Sequence, residues 1–106
     1  MAANMEQSVS FHRFYEVIVG DGRIGPVHIS MYMALLHLWK VQGSVNPINI
    51  FSRELMPVAK ISGIATYYRV LKELTAYGYI RYVSTYDRVV GSLVYMLDLE
   101  VPQRGE

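Results

Sequence analysis

The sequence predicts an α+β fold that is mostly helical, with a three-helix core, a C-terminal β-hairpin and an extra N-terminal helix. Residues 61–80 have the apolar spacing of a helix that ends at a glycine and continues into a strand. Residues 24–39 are apolar and carry no Asp, Glu, Lys or Arg, which is typical of a central helix. Two segments rich in β-branched and aromatic residues then flank a glycine-containing loop, the pattern of a hairpin.

The composition limits the classes of function. A chain of 106 residues with 52% hydrophobic residues is expected to form one domain with its own core. It has no cysteine, which excludes a disulfide scaffold, a thiol nucleophile and a cysteine-based zinc site. The N-terminus lacks the basic and apolar regions of a signal peptide, and residues 24–39 are too few to span a bilayer. We expect a cytoplasmic protein without a membrane partner.

The N-terminal region is predicted to hold an arm and one helix. Ser10 is a good N-cap, because its hydroxyl can accept a hydrogen bond from a free amide of the first turn. The helix is expected to end near Val19, before the sequence Gly-Asp-Gly. Its apolar stripe has helical spacing and consists of Phe11, Phe14, Tyr15 and Ile18.

The next helix is predicted to begin at Pro26 and to end at about Gln42, with Gly43 as its stop. It is apolar on nearly every side, as a central helix is. This helix and the N-terminal helix carry more apolar surface than a small monomer is expected to expose. We therefore predict a homodimer formed through these two helices.

A strand and a short helix are predicted to follow. The dipeptide Asn46-Pro47 indicates a turn, and residues 48–50 suit a short strand. Ser52 is expected to cap the short helix. Pro57 should shorten or distort that helix, because proline lacks the amide hydrogen that would bond one turn back.

The helix within residues 61–80 is predicted to have Ser62 as its N-cap and Gly78 at its stop. The residues expected to face the core are Tyr67, Val70, Leu71 and Leu74. The residues expected at or beside the centre of the outer face are Ala65, Thr66, Tyr68, Arg69, Lys72, Glu73 and Ala76. Two small residues beside two cations would let another molecule approach this face closely.

The hairpin is predicted from strands at residues 79–86 and 92–99, with a turn at residues 87–91. Both faces of these strands carry apolar residues, so alternation does not indicate which face is buried. Charge is unevenly distributed, although the net charge is only +1. Residues 53–88 contain six cations and three acids, whereas the rest of the chain contains four cations and six acids. The basic excess therefore lies on the helix within residues 61–80 and on the segments next to it.

A resemblance to a known family rests on ELMPVAKISGIATYYRVLKELTAYGYI and on the following YIRYVSTYDRVVGSLVYML. With the order helix, short strand, short helix, turn, helix and hairpin, these stretches resemble the winged helix-turn-helix family of DNA-binding domains. The resemblance covers about residues 26–99. It implies an N-terminal arm and helix at residues 1–22, a winged-helix DNA-binding domain at 23–99 and a tail at 100–106.

The resemblance implies sequence-specific binding of double-stranded DNA by a small bacterial transcription regulator or a mobile-element accessory factor. Such a protein would be associated with the nucleoid. The helix from Ser62 to Tyr77 would be the recognition helix in the major groove. Four of its residues match positions that commonly touch DNA in the family, namely Ser62, Thr66, Arg69 and Lys72. The wing tip with Arg88 would reach the minor groove or the backbone.

The side-chain chemistry favours DNA on separate grounds. Arg69 can donate two hydrogen bonds to one guanine, and Ala65 and Thr66 offer methyl groups to thymine. The cations suited to phosphates are Lys60, Lys72, Arg81 and Arg88.

Three residues depart from the pattern of the winged helix-turn-helix family. Gly63 and Ile64 stand where that family often has polar or basic residues, and Asp87 places an acid at the wing tip.

Three alternatives remain open at this stage. The basic face could be solvated, with Glu73 paired to Arg69 or Lys72. Tyr68 and other tyrosines could stack on single-stranded bases. The domain could also be a winged-helix protein-interaction module with little affinity for DNA, which suits the low net charge.

Catalytic and metal-binding patterns are not found in the sequence. His12, His28 and His37 do not form a ligand set, and we expect His28 and His37 to be packed or hydrogen-bonded. No nucleophile–base pair, phosphate-binding loop or zinc motif is present. We expect neither an enzyme nor a bound metal or cofactor.

Overall fold

Four helices and a small antiparallel sheet make up the chain in a computed structural model that describes residues 9–85, 89 and 91–100. The helices are α1 (Phe11–Ile18), α2 (Pro26–Val41), α3 (Ser52–Ala59) and α4 (Ile64–Ala76). The strands are β1 (Ile48–Ile50), β2 (Ile80–Val83) and β3 (Ser92–Met96). The predicted α+β class is confirmed, with about half of the described residues in helices.

The helix α2 is central, as its sequence predicts. Its buried residues are His28, Met31, Tyr32, Ala34, Leu35, Leu36 and Trp39. It packs against α3 and α4. On α1, the ring of Phe14 stacks on Tyr32 with 4.0 Å between ring centroids. The first residue of α2 is Pro26, and Gly43, directly after the C-cap residue Gln42, has a φ of 101°. Both predicted ends of α2 are therefore confirmed.

Two of the three predicted serine N-caps differ from the structure. The Ser10 hydroxyl accepts a hydrogen bond from the Arg13 amide at 3.1 Å, as predicted. The predictions for Ser52 and Ser62 are wrong, because Phe51 and Gly63 occupy the N-cap positions and neither provides a side-chain cap. Lys60 ends α3 in the left-handed region. The buried Ile61 comes next, and α4 begins two residues after Ser62, with Gly63 in an extended conformation at the N-cap.

The short helix α3 has only eight residues and contains Pro57 near its end, which agrees with the prediction that proline limits it. Gly78 has a φ of 90° after α4, the left-handed conformation that a glycine stop provides. None of the helices that the structure describes is long and apolar enough to cross a membrane.

The sheet has the order β1-β3-β2, so the first strand joins the hairpin along its β3 edge. The hairpin strands are shorter than predicted, because β2 ends at Val83 and β3 ends at Met96. The buried face, which the sequence leaves undecided, is the one with Ile80, Val94 and Met96. The predicted wing tip with Asp87 and Arg88 lies outside the described residues.

Side-chain amides extend the sheet where backbone pairing stops. The amide of Asn46 donates to the Met96 carbonyl and accepts from its amide, at 2.8 and 2.9 Å. Gln42 binds the backbone of Asn49 in the same way, at 2.9 and 3.0 Å. These pairs attach the end of α2 and the loop after it to β1 and to the end of β3.

Two buried tyrosines beneath α1 have different polar environments. The Tyr79 hydroxyl donates to Asp21 at 2.7 Å, and Asp21 also binds Arg23 through both carboxylate oxygens. The hydrogen bond from Arg23, with a further one from Tyr79, holds the pKa of Asp21 well below its ordinary value. The Tyr32 hydroxyl, by contrast, has no hydrogen-bond partner among the described residues.

Tyr79→Phe should therefore lower the free energy of unfolding by about 1.5–3 kcal/mol, because it removes a hydrogen bond to a charged group. Tyr32→Phe is the matched control and should be neutral or stabilising by up to about 1 kcal/mol, since it removes an unsatisfied buried hydroxyl. Urea unfolding of both variants measures the difference. Equal losses of stability would contradict this account of the two hydroxyls.

Candidate nucleic-acid interface

The helix α4 separates its residues into a buried face and an exposed face as predicted. The four residues expected in the core, Tyr67, Val70, Leu71 and Leu74, are the buried residues of this helix. The residues exposed on the other side include Ala65, Tyr68, Arg69, Lys72 and Ala76. Thr66 and Glu73 lie half-buried between the two faces. We call the five exposed residues the outer face of α4.

The outer face of α4 and Glu73 line a shallow depression of about 490 Å³. Ala65 and Ala76 have the smallest side chains of the set, and Arg69 and Lys72 lie between them in sequence. Tyr68 is 41% exposed, with its ring 5.1 Å from the buried ring of Tyr67. The depression therefore brings together four of the predicted site residues, namely Ala65, Tyr68, Arg69 and Lys72.

A second surface groove lies along α3 and the turn into α4. Its volume is about 510 Å³, and its lining residues are Ser52, Arg53, Met56, Pro57, Lys60, Ile61 and Ser62. It holds two further predicted site residues, Lys60 and Ser62. Arg53 is a cation of this groove that the sequence prediction did not include among the site residues. The basic excess of residues 53–88 was the signal that could have identified it.

Several cations within residues 53–88 have no acidic partner that the structure describes. Within the described part of the chain, no acid forms an ion pair with Arg53, Lys60, Lys72 or Arg81. Arg81 lies on the exposed side of β2, with its guanidinium 5.1 Å from the ring centroid of Tyr95. It lines neither the depression nor the groove. A polyanion could therefore bind these cations without breaking an ion pair to any described acid.

Arg69 is the exception, because it is held by an acid of its own helix. Its Nη1 donates to Glu73 Oε1 at 2.9 Å, which confirms one of the two pairings expected for Glu73. The same oxygen lies 2.7 Å from Nε2 of His28 on α2. The hydrogen bond with His28, together with that from Arg69, lowers the pKa of Glu73. Glu73 is therefore a carboxylate at neutral pH.

His28 is buried and hydrogen-bonded, as expected, but its partner was not predicted. It is 6% exposed, and its Nδ1 accepts a hydrogen bond from the Gly25 amide at 3.0 Å. His28 and Glu73 are 45 residues apart, so no local spacing could have paired them. His37, which was expected to be packed or hydrogen-bonded, is instead exposed on α2. Among the described residues, no group of three acids or histidines could hold a metal ion.

A scan against protein-family models and searches of curated proteins and of solved structures found no match to this chain. Function is therefore inferred from the chemistry of the surface around α4. That surface combines small side chains, cations without an ion-pair partner among the described residues, and one oriented arginine on a helix whose other side is fixed in the core.

Proposed function

We propose that this protein binds double-stranded DNA sequence-specifically, with α4 as the recognition helix of a winged-helix domain. The observation that carries the proposal is the outer face of α4, where Ala65 and Ala76 flank exposed Arg69 and Lys72. The major groove admits an α-helix, and small side chains permit the close approach that base contacts need. A solvated helix would not require this combination.

The order of the elements supports the winged-helix assignment. The family arrangement of three core helices followed by a hairpin corresponds here to α2, α3 and α4 with β2 and β3. The strand β1 lies between α2 and α3 in sequence and pairs with β3. The helix α1 is the extra N-terminal helix. On this assignment residues 23–99 form the DNA-binding domain.

Each predicted contact residue has a role in the proposal. Arg69 reads a guanine, and Ala65 and Thr66 contact thymine methyl groups. The phosphate contacts come from Ser62 and from the cations Arg53, Lys60, Lys72 and Arg81.

Tyr68 lies at the border of the outer face of α4 and packs against the sugar–phosphate backbone. The role of Arg88 in the wing stays a prediction.

The protein acts by occupying its site, without chemistry of its own. This is the mode of action of a small transcription regulator or of an accessory factor of a mobile element, in the cytoplasm and associated with the nucleoid. The proposal requires no cofactor and no metal. With only a few phosphate contacts, the affinity of one copy for DNA is modest and depends strongly on salt.

A homodimer would bring two such surfaces to one site. The helix α2 covers most of its apolar side chains within its own chain, so α1 is the main candidate for the contact. Phe11, Tyr15 and Val19 are exposed at four-residue spacing along or just beyond α1. In a dimeric reader the two recognition helices enter successive major grooves about 34 Å apart, on a palindromic site.

The second candidate function is a protein-interaction module. The observation that favours it is the same exposed row of Phe11, Tyr15 and Val19, together with the net charge of only +1. In that case the apolar row would bind a different protein, and the cations around α4 would be solvated.

Duplex binding separates these functions. The wild-type protein should bind a random-sequence duplex at low salt, with an affinity that falls steeply as salt rises, because phosphate contacts release counterions. Fluorescence anisotropy at two salt concentrations measures this, and selection from a random library then gives the preferred site. No binding at low salt would contradict the DNA proposal and favour the interaction module.

Arg69→Ala and Lys72→Ala should then weaken binding in different ways. Arg69→Ala should cost about 1–3 kcal/mol on the selected site and relax the preference at one base pair. Lys72→Ala should weaken binding to all sequences alike and reduce the salt slope by about one unit. Equal losses on selected and random duplexes for both variants would argue against base reading by Arg69.

The proposed dimer contact is tested by a substitution in the exposed row of Phe11, Tyr15 and Val19. Phe11→Asp should shift the protein toward monomer in sedimentation equilibrium at micromolar concentrations, because a charge replaces one of the apolar side chains of the contact. Val58→Asp, at an exposed apolar residue of α3, is the control and should leave the oligomeric state unchanged. A wild-type protein that is monomeric under these conditions would refute the dimer.

A further inference from the structure

Three side chains connect the core of the protein to the outer face of α4. His28 is 8% exposed at its side chain, Glu73 is 31% exposed and Arg69 is 52% exposed. Glu73 Oε1 is the shared atom, at 2.7 Å from His28 Nε2 and 2.9 Å from Arg69 Nη1. The depth of burial therefore falls stepwise from α2 to the proposed DNA-binding surface.

The inner end of this series is held through both ring nitrogens of His28. His28 lies in the first turn of α2, where its Nδ1 accepts the Gly25 amide hydrogen at 3.0 Å. In the neutral imidazole that accepts at Nδ1, the ring proton is on Nε2 and is donated to Glu73. The ring of Tyr77 lies beside it, with 5.7 Å between the centroids. The imidazole therefore presents one fixed donor to the carboxylate.

The outer end of the series is the arginine proposed to read DNA. Its guanidinium is planar, so fixing Nη1 on Glu73 restricts the orientation of the whole group. Nε and Nη2 have no hydrogen-bond partner among the described residues. One edge of the guanidinium is thus oriented by the protein while another edge stays available for the two acceptors of a guanine.

We propose that Glu73, held by His28, is a positioning residue that determines the sequence specificity of Arg69. This inference rests on the proposed DNA-binding function. Ordering a long side chain before binding reduces the conformational entropy that is lost on contact with the base. The carboxylate also repels phosphates, so it disfavours complexes in which Arg69 contacts the DNA backbone instead of a base.

Glu73→Gln tests the acid directly, because it keeps the size of the side chain and removes its charge. Binding to a random duplex should become tighter, since one acid is removed near the phosphates. Discrimination between the selected site and its variant at the Arg69 base pair should fall about tenfold. This separation of affinity from specificity is not expected from a general loss of structure.

Two substitutions of His28 form a matched pair. In His28→Asn the side-chain oxygen is as many bonds from the backbone as Nδ1, so it can accept from Gly25 but cannot reach Glu73. In His28→Gln the amide nitrogen corresponds to Nε2, so it can donate to Glu73 but leaves the Gly25 amide without its acceptor. We expect His28→Asn to lose base discrimination as Glu73→Gln does, and His28→Gln to retain it.

Anisotropy on the selected duplex, its single-base variant and a random duplex provides the first readout, and urea unfolding shows that each variant is folded. Nuclear magnetic resonance of the Arg69 guanidinium in the free protein provides the second. Restricted rotation should be present in the wild-type protein and His28→Gln and lost in His28→Asn and Glu73→Gln.

Unchanged discrimination in Glu73→Gln, or equal behaviour of the two His28 variants on DNA, would overturn the inference while leaving the DNA-binding function intact. A wild-type protein that binds no duplex would instead overturn the proposed function. In that event, equal mobility of the Arg69 guanidinium in the wild-type protein and His28→Asn would also refute positioning by Glu73.

Discussion

The packing of α4 on α2 is the constraint on which the rest of the structure depends. Burying Tyr67, Val70, Leu71 and Leu74 fixes the rotation of α4 about its axis, and each fully buried side chain of this kind contributes roughly 1.5–3 kcal/mol. Because a helix has a fixed period, the same burial places Arg69 on the solvent side. The geometry of the proposed DNA-binding surface is therefore a consequence of core packing.

The distribution of ion pairs matters more here than the net charge of +1. The acids Glu16, Asp21 and Glu73 are used in ion pairs with nearby arginines. Four cations on and around α3, α4 and β2 have no such partner within the described part of the chain. A nearly neutral protein can thus present a locally positive surface, which favours encounter with a polyanion.

Glu73 connects the packed core to the outer face of α4. Through His28 it belongs to the contact between α2 and α4, and through Arg69 it belongs to the outer face. A polar residue in this position couples the arrangement of the core to the orientation of a surface arginine. If the protein were the interaction module instead, Glu73 would still hold Arg69 while the cations around α4 are solvated, so the geometry is compatible with both proposed functions.

Local patterns in the sequence determined much of this protein. Helical spacing identified the inner face of α4, and turn chemistry identified Ser10, Pro26 and Gly78, because these features depend on neighbouring residues alone. Only the tertiary structure decided the pairing of β1 with β3, the buried face of the hairpin and the contact between His28 and Glu73. It also placed the start of α4 past Ser62, with Gly63 in an extended conformation as the N-cap residue. Such contacts join residues distant in sequence, so no local period or cap preference encodes them.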